Sequence, residues 1–305
     1  MPQATTHAPS PAAPRWRVAS ETGTLQEVLV CPPDHYRWLP TNTIARHTLA
    51  EARQAPAPAH LATQHAELVA ALQEGGAIVH RLRPEPHLPY MVYTRDSVVV
   101  THRGPVLCQL ERPQRRGEYA ALIDFHAAQA GGIKSAFWHM SSAGTLEGGD
   151  IHVLRPGLAV IGHSGGRTDA AGAEQLANWL RTEGWEVRLE PFDEHFLHLD
   201  VLFCMAAPGL AVACTDVLDE GFLGWLGQHG IRCIPVPYRD AMQLGCNILA
   251  LGGGRVVSAR GSKALNAALR AEGLTVLDPE LSLFTLGGGG PHCLTCPLAR
   301  GEETA

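Results

Sequence analysis

Four short stretches of this chain carry the residue types best suited to chemistry. They are YTRDSVVV with Asp96, LEGGDIHVL with Glu147 and Asp150, HLDVLF with His198 and Asp200, and LGGGGPHCLTCPLAR, residues 286–300, with His292, Cys293 and Cys296. Carboxylates beside strongly apolar strand residues tend to be buried, and a buried charge is costly unless something cationic meets it. The Cys293/Cys296 pair allows several readings. A structural zinc site needs a second pair of ligands at similar spacing, and no other C-x-x-C occurs. A redox dithiol sits at a helix N-terminus after a first strand, whereas this pair follows a glycine run near the chain end. A phosphate loop would continue into Gly-Lys-Ser/Thr, which is absent. A nucleophilic cysteine fits better: glycines let a ligand approach closely, the thiolate is the reactive form, and a histidine serves as base and later as acid. His292, adjacent in sequence, points the opposite way in extended backbone. His198 is therefore the better partner, with Asp200 on its side of the chain.

The elements that must position these residues repeat. LQEGGAIVHRLRP, AQAGGIKSAFWH, RTEGWEVRLEPF, GQHGIRCIPVPY and RAEGLTVLDPEL each read as a helix ending at glycine followed by a strand. Gly76, Gly132, Gly184, Gly230 and Gly273 lie 56, 52, 46 and 43 residues apart. Between them lie hairpin-like runs, DSVVVTHRGPVLCQL, GGDIHVLRPGLAVIG, VLFCMAAPGLAVAC and NILALGGGRVVSA, so the unit is strand, strand, helix, strand. Five such units suggest a closed, radially repeated α/β assembly, since an open array would leave exposed edges. An ordinary α/β sandwich with accidental spacing is the alternative. In a ring, the loops at the inner strand ends converge, and chemistry belongs there.

Bulk properties narrow the function. With 305 residues, 45% hydrophobic, the chain can bury a substantial core. A net charge of −6 and 24 Lys plus Arg without a basic patch argue against nucleic-acid binding. Apolar runs stop well short of the roughly 20 residues of a membrane span. The N-terminus has no cationic start followed by an apolar run, so residues 1–15 are expected to be a disordered leader and 16–305 a single catalytic domain in the cytoplasm. Eight cysteines in a reducing compartment are expected to be mostly free thiols.

Taken in order, YTRDSVVV, LEGGDIHVL, IGHSGGRTD, HLDVLF and GGGGPHCLTCPL resemble the guanidino-group-modifying (pentein) superfamily of arginine deiminases, dimethylarginine dimethylaminohydrolases and amidinotransferases. The similarity extends to GTLQEVLVCPP and RPQRRGE, nearly the whole chain. It implies a five-bladed ββαβ propeller with pseudo-fivefold symmetry. It also implies Cys293 as covalent nucleophile, His198 as general acid/base, and Glu147 as the carboxylate that orients the histidine or holds the guanidinium. Asp96 and Asp200 would bind the guanidinium, and Asp150 would support the site or join it. Arg167 and Arg116 match positions recruited to place substrate, unless they are structural arginines.

The expected reaction is hydrolysis of a guanidino compound related to arginine through a thiouronium intermediate, with no metal or organic cofactor. Arginine deiminases carry an arginine before the terminal glycines; here Thr285 and Leu286 stand there, which puts arginine itself in doubt as substrate. An amidinotransferase, with an amine as acceptor, is the alternative. A non-catalytic binder of cationic amino acids is a third reading. Cys296 is either a packed small hydrophobe or a redox partner of Cys293. The oligomeric state, a homodimer included, is left open.

Overall fold

The computed structural model describes residues 15–52, 54–129, 138–139 and 144–302. Most of the leader expected at 1–15 and the repeat glycine Gly132 lie outside them. Among the described residues are five three-stranded sheets of one design: two antiparallel strands, then a third parallel to the middle one. A parallel neighbour requires a crossover, and an α-helix supplies each. Val98–Thr101 and Gly104–Leu107 lead through helix Glu118–Gln129 to Trp138–His139. Ile151–Arg155 and Leu158–His163 lead through Ala170–Thr182 to Glu186–Pro191. Phe203–Ala207 and Leu210–Ala213 lead through Glu220–Gln228 to Arg232–Pro235. Leu249–Gly252 and Arg255–Val257 lead through Lys263–Ala271 to Thr275–Leu277.

The fifth sheet is assembled from both ends of the chain. Leu25–Val30 pairs antiparallel with Cys296–Arg300 and parallel with Ile78–Arg81, the helix Pro58–Glu74 making the crossover. The glycines that end four crossover helices, Gly76, Gly184, Gly230 and Gly273, all have φ between +73° and +88°, the left-handed cap that glycine adopts without steric cost.

The apolar core lies between the sheets and their helices. Phe203, Phe222, Val212 and Ile234 belong to one cluster, and Val106, Ile161, Leu176 and Leu180 to another. The first strands of neighbouring sheets contact one another: Cys296–Arg300 meets Val98–Thr101, and Phe203–Ala207 meets Leu249–Gly252. Just before each first strand the chain makes a short turn, Thr94–Ser97, Gly148–Asp150, Leu199–Val201, the segment around Asn247, and the turns through 291–295. Among the described residues no helix is long and apolar enough to cross a membrane.

Candidate active site

These five turns bring Asp96, Glu147, His198, Asp200, Asn247 and Cys293 together. All are buried, with Glu147, Asp200 and Asn247 fully inaccessible. Two pairs of glycines allow the approach. A Cβ at Gly149 would stand 2.6 Å from His198 Nδ1, and one at Gly148 would collide with the backbone of Arg95. In the terminal run, a Cβ at Gly287 would collide with the Tyr36 hydroxyl and one at Gly289 with the Tyr93 ring. Those glycines thus admit the protein's own aromatic side chains against the backbone that carries Cys293.

Backbone bonds from Leu294 N to Gly290 O (3.0 Å) and from Thr295 N to His292 O (3.2 Å) curl residues 290–295 into turns. His292 and Cys293 consequently reach the same carboxylate, correcting the expectation that they face opposite ways. His292 Nδ1 lies 2.8 Å and Cys293 Sγ 3.2 Å from Asp200 Oδ2. Asn247, which sequence reasoning missed, locks the turn. Its Oδ1 accepts from the N–H groups of Gly290, His292 and Cys293 at 3.1–3.2 Å, and its Nδ2 donates to Cys293 Sγ at 3.1 Å.

His198 is held from the other side, its Nε2 lying 2.8 Å from Glu147 Oε2. Glu147 also accepts from Arg167 Nη1 (3.3 Å) and from the backbone N–H of Glu111 (3.0 Å). Both of its oxygens are thus engaged by protein, which fits the orienting role and leaves little for a guanidinium. Asp96 differs: Oδ2 receives Arg115 Nη1 at 2.6 Å, while Oδ1 lies 3.8 Å from His198 Nδ1 with no hydrogen-bond partner. Asp200 Oδ1 and His198 Nδ1 are also buried and without one. Unmatched buried polar atoms call for a partner, and Asp96 and His198 turn theirs toward the pocket that Cys293 also lines.

Arg115, not Arg116, enters the site. The turn Pro113–Arg115 aims Arg115 inward, where Glu118 grips its Nε (2.8 Å) and Nη2 (2.9 Å). Arg116 is exposed, donates Nε to Leu110 O, and lines neither cavity described below, the placing expected of a structural arginine. Asp150 is fully buried; one oxygen accepts from Leu199 N at 2.7 Å and so anchors the His198–Asp200 segment, while Oδ2 has no hydrogen-bond partner. Cys296 packs in the cluster with Leu29, Val98 and Leu298 and donates to Val98 O at 3.3 Å, as a small hydrophobe does. All eight cysteines are free.

The electrostatics of the site set His198 apart from Cys293. Burial alone would discharge His198, but Asp96, Asp150 and Glu147 surround it and hold its pKa up at about 9. Glu147, against its own desolvation, is kept well below the ordinary carboxylate range by Arg167 and His198. Asp200, also opposed by burial, is brought down to about 2 by His292. Burial raises Asp150 to about 7. Cys293 is pushed well above the ordinary thiol value by burial and by the charges of Asp200 and Asp96. Without a bound cation the site therefore holds a neutral thiol beside an imidazolium. Two groups, His152/Cys204/His292 and Asp96/Glu147/His198, have donor atoms close enough to share a metal ion.

A small inner pocket lined by Asp96, His198, Cys293, Tyr93 and Arg115 shares Asn42, Arg167 and Leu197 with an outer cavity of about 340 Å³. The outer cavity presents Arg46, Arg112 and Arg167 together with Asp193 and Glu194. Leu197, between the two, has φ +67°, an unusual backbone for a γ-branched residue immediately before His198.

A buried carboxylate, a histidine and a thiol thus line one small pocket, and residues 40–300 match the family described as N,N dimethylarginine dimethylhydrolase, eukaryotic. The chain belongs to that family, within the guanidino-group-modifying superfamily, whose members named below include hydrolases of amidine C–N bonds. It is 30% identical over 286 residues to the Bacillus subtilis protein YkgA, covering 93% of this chain and 95% of that one. It is also 30% identical over 268 residues to an arginine deiminase of Mycobacterium bovis, covering 76% of this chain and 65% of the deiminase. Among solved structures, the N-terminal domain of ArgZ, a cyanobacterial arginine dihydrolase, superimposes with a TM-score of 0.77 at 22% identity, over 90% of this chain and 98% of that domain. A dimethylarginine dimethylaminohydrolase superimposes with a TM-score of 0.73 at 20% identity, over 90% and 99% of the two chains.

Proposed function

We propose that this protein is a cysteine-dependent hydrolase of a guanidino-bearing α-amino acid, built as a single catalytic domain over residues 16–305 and acting in the cytoplasm. On this reading the five sheets are the blades of a pseudo-fivefold propeller, and the turns before their first strands are its active-site end. The observation that carries the reading is the set of unpartnered buried atoms beside the Cys293 thiol: Asp96 Oδ1, Asp200 Oδ1 and His198 Nδ1.

A planar guanidinium supplies N–H donors in the directions these carboxylate oxygens need, and charge-assisted bonds of this kind are short and strong. Its arrival offsets the negative charges that hold the Cys293 proton in place, so that proton passes to solvent and the thiolate forms against the substrate. Attack on the central carbon gives a tetrahedral adduct. His198, an imidazolium through most of the physiological range, protonates the departing nitrogen, which leaves as ammonia or an amine. The remaining thiouronium on Cys293 is attacked by water, from which the now neutral His198 takes a proton. Collapse of that adduct expels the sulfur, which takes up the remaining hydroxyl proton to restore the thiol, and releases a neutral ureido product. Glu147 fixes the imidazole through Nε2 and leaves Nδ1, 3.8 Å from Asp96 Oδ1, as the nitrogen that exchanges protons.

The outer cavity supports an α-amino acid as the rest of the substrate: Arg46, Arg112 and Arg167 suit a carboxylate, and Asp193 and Glu194 an ammonium. Leu286 is 42% exposed and lines a neighbouring groove, so the carboxylate would be held by these arginines in place of one before the glycine run. The test is mass spectrometry of protein and products across a panel of guanidino compounds, each with and without an amine such as glycine. Ammonia or methylamine released without acceptor, with a transient adduct on Cys293, is expected. Product that requires the amine would make the protein an amidinotransferase. Binding with neither product nor adduct would make it a binder of cationic amino acids.

A further inference from the structure

His152, Cys204 and His292 form a buried cluster of nitrogen and sulfur donors that the proposed chemistry does not use. His152 belongs to strand Ile151–Arg155, Cys204 to Phe203–Ala207, and His292 to the turns that lead into Cys296–Arg300, so the cluster brings three sheets together. Each of the three is at most 2% exposed, and one donor atom of each lies within 4.8 Å of the other two. None of them lines the inner pocket, the outer cavity or the neighbouring groove.

The surroundings leave these donors open. His292 Nδ1 lies 2.8 Å from Asp200 Oδ2 and His152 Nδ1 lies 3.3 Å from Glu21 Oε2, while Nε2 of both rings is buried without a hydrogen-bond partner. The rings are nearly parallel, their centroids 5.3 Å apart. Cys204 Sγ makes one long contact, 3.8 Å to Asp200 O. A metal-bound histidine turns one ring nitrogen to the ion and the other to a carboxylate that fixes the ring's orientation, and both rings here have a carboxylate on one nitrogen and nothing on the other. The carboxylates themselves lack a cation. Among the described residues Glu21 and Asp200 have ion-pair contacts only with these two histidines, Arg300 standing near Glu21 without a salt bridge to it. Buried negative charge of this kind is costly until something positive meets it.

We propose that His152, Cys204 and His292 hold one zinc ion, through their ring nitrogens and the cysteine sulfur, and that the ion cross-links the three sheets. Two imidazoles and a thiolate are a donor set that suits zinc, and bonds of about 2.0–2.3 Å draw the three side chains together by small rotations. Cys204 coordinates as the thiolate, its proton passing to solvent as the metal enters. The ion touches no substrate. It stands one histidine away from Asp200 and so braces the carboxylate beside Cys293.

The test is the metal content of the full chain, produced with zinc in excess and freed of loosely held metal by gel filtration. About one zinc per chain is expected in the wild type and in Cys293→Ser, and less than about 0.1 in Cys204→Ser. Refolded with cobalt(II) in place of zinc, the wild type and Cys293→Ser should show a thiolate-to-cobalt charge-transfer band that Cys204→Ser lacks. Cys204→Ala, which adds no buried hydroxyl, repeats both measurements should the serine variant fail to fold. Wild-type protein that holds neither zinc nor the cobalt band overturns the proposal, whatever the variants do. Zinc kept by the Cys204 variants but lost from Cys293→Ser overturns it as well, since the metal would then sit on the nucleophile. Neither readout depends on turnover: a chain inactive on every guanidino compound can still carry the site, and an active hydrolase can lack it.

Discussion

The two sides of Cys293 are built on different terms. On one side Glu147 is saturated by His198, Arg167 and a backbone N–H, and Arg115 joins Asp96 to Glu118. On the other, Asp200 serves His292 and Cys293 through one oxygen, and Asn247 holds the thiol's backbone with a single uncharged amide. On the proposed reading the first side fixes a proton donor. On the same reading the second fixes a nucleophile that would gain its negative charge only when a cation arrives. A cysteine that must stay unreactive in the empty enzyme is well served by carboxylate neighbours, whereas one activated in advance would sit beside a cation.

The sharpest way to break this comparison is at the thiol. Cys293→Ser should lower turnover by about three orders of magnitude or more while leaving the melting temperature close to wild type, because the serine hydroxyl meets the same neighbours but is far less nucleophilic. Turnover within tenfold of wild type would remove Cys293 from the chemistry. On the acid side, His198→Gln should cost about 10²- to 10⁴-fold in kcat. The pH profile of the unmodified enzyme sharpens the same point. His198 must carry its proton to release the leaving group, so kcat/KM should decline as the pH rises through about 9, and a decline centred near 6.5 instead would mean that its carboxylate shell does not act.

Asn247 tests the nucleophile side without a charge. Asn247→Ala leaves the N–H groups of Gly290, His292 and Cys293 without their acceptor, at about 1–3 kcal/mol of stability for each donor that stays buried and unmatched. A loosened turn should lower kcat more than it raises KM. Denaturant unfolding and steady-state kinetics on the same preparation separate the two effects, and an unchanged kcat would show that the turn holds its shape unaided.

What the chain reveals before folding follows the same division. Charged and nucleophilic residues at repeated positions are visible as Asp96, Glu147, His198, Asp200 and Cys293, since each precedes a recognisable apolar strand. Asn247 stands at the corresponding place before Leu249–Gly252, but a neutral amide in CNILA gives no chemical signal, and only its position in the repeat could have found it. Four of the five hairpins are local and legible. The fifth joins Leu25–Val30 to Cys296–Arg300, a pairing between chain ends that no short-range pattern encodes. The contacts of Glu21 with His152 and His292 are hidden for the same reason.

The Arg115/Arg116 doublet shows how a one-residue choice is settled by local geometry, and it supplies the smallest effect expected here. Both arginines match the motif RPQRRGE, but Glu118 is three residues beyond Arg115, and across the turn leading into helix Glu118–Gln129 the i,i+3 pair closes inside the protein. The spacing was present in the sequence as a signal for Arg115. Arg115→Ala strips the buried Asp96 and Glu118 of their counter-charge and should destabilise the fold by about 3 kcal/mol or more while weakening substrate binding. Arg116→Ala, at an exposed side chain bonded to one carbonyl, should change stability by no more than about 0.5 kcal/mol and leave KM untouched. Equal losses from the two would mean that Arg116 reaches the substrate after all, and that the outer cavity extends to it when the ligand is bound.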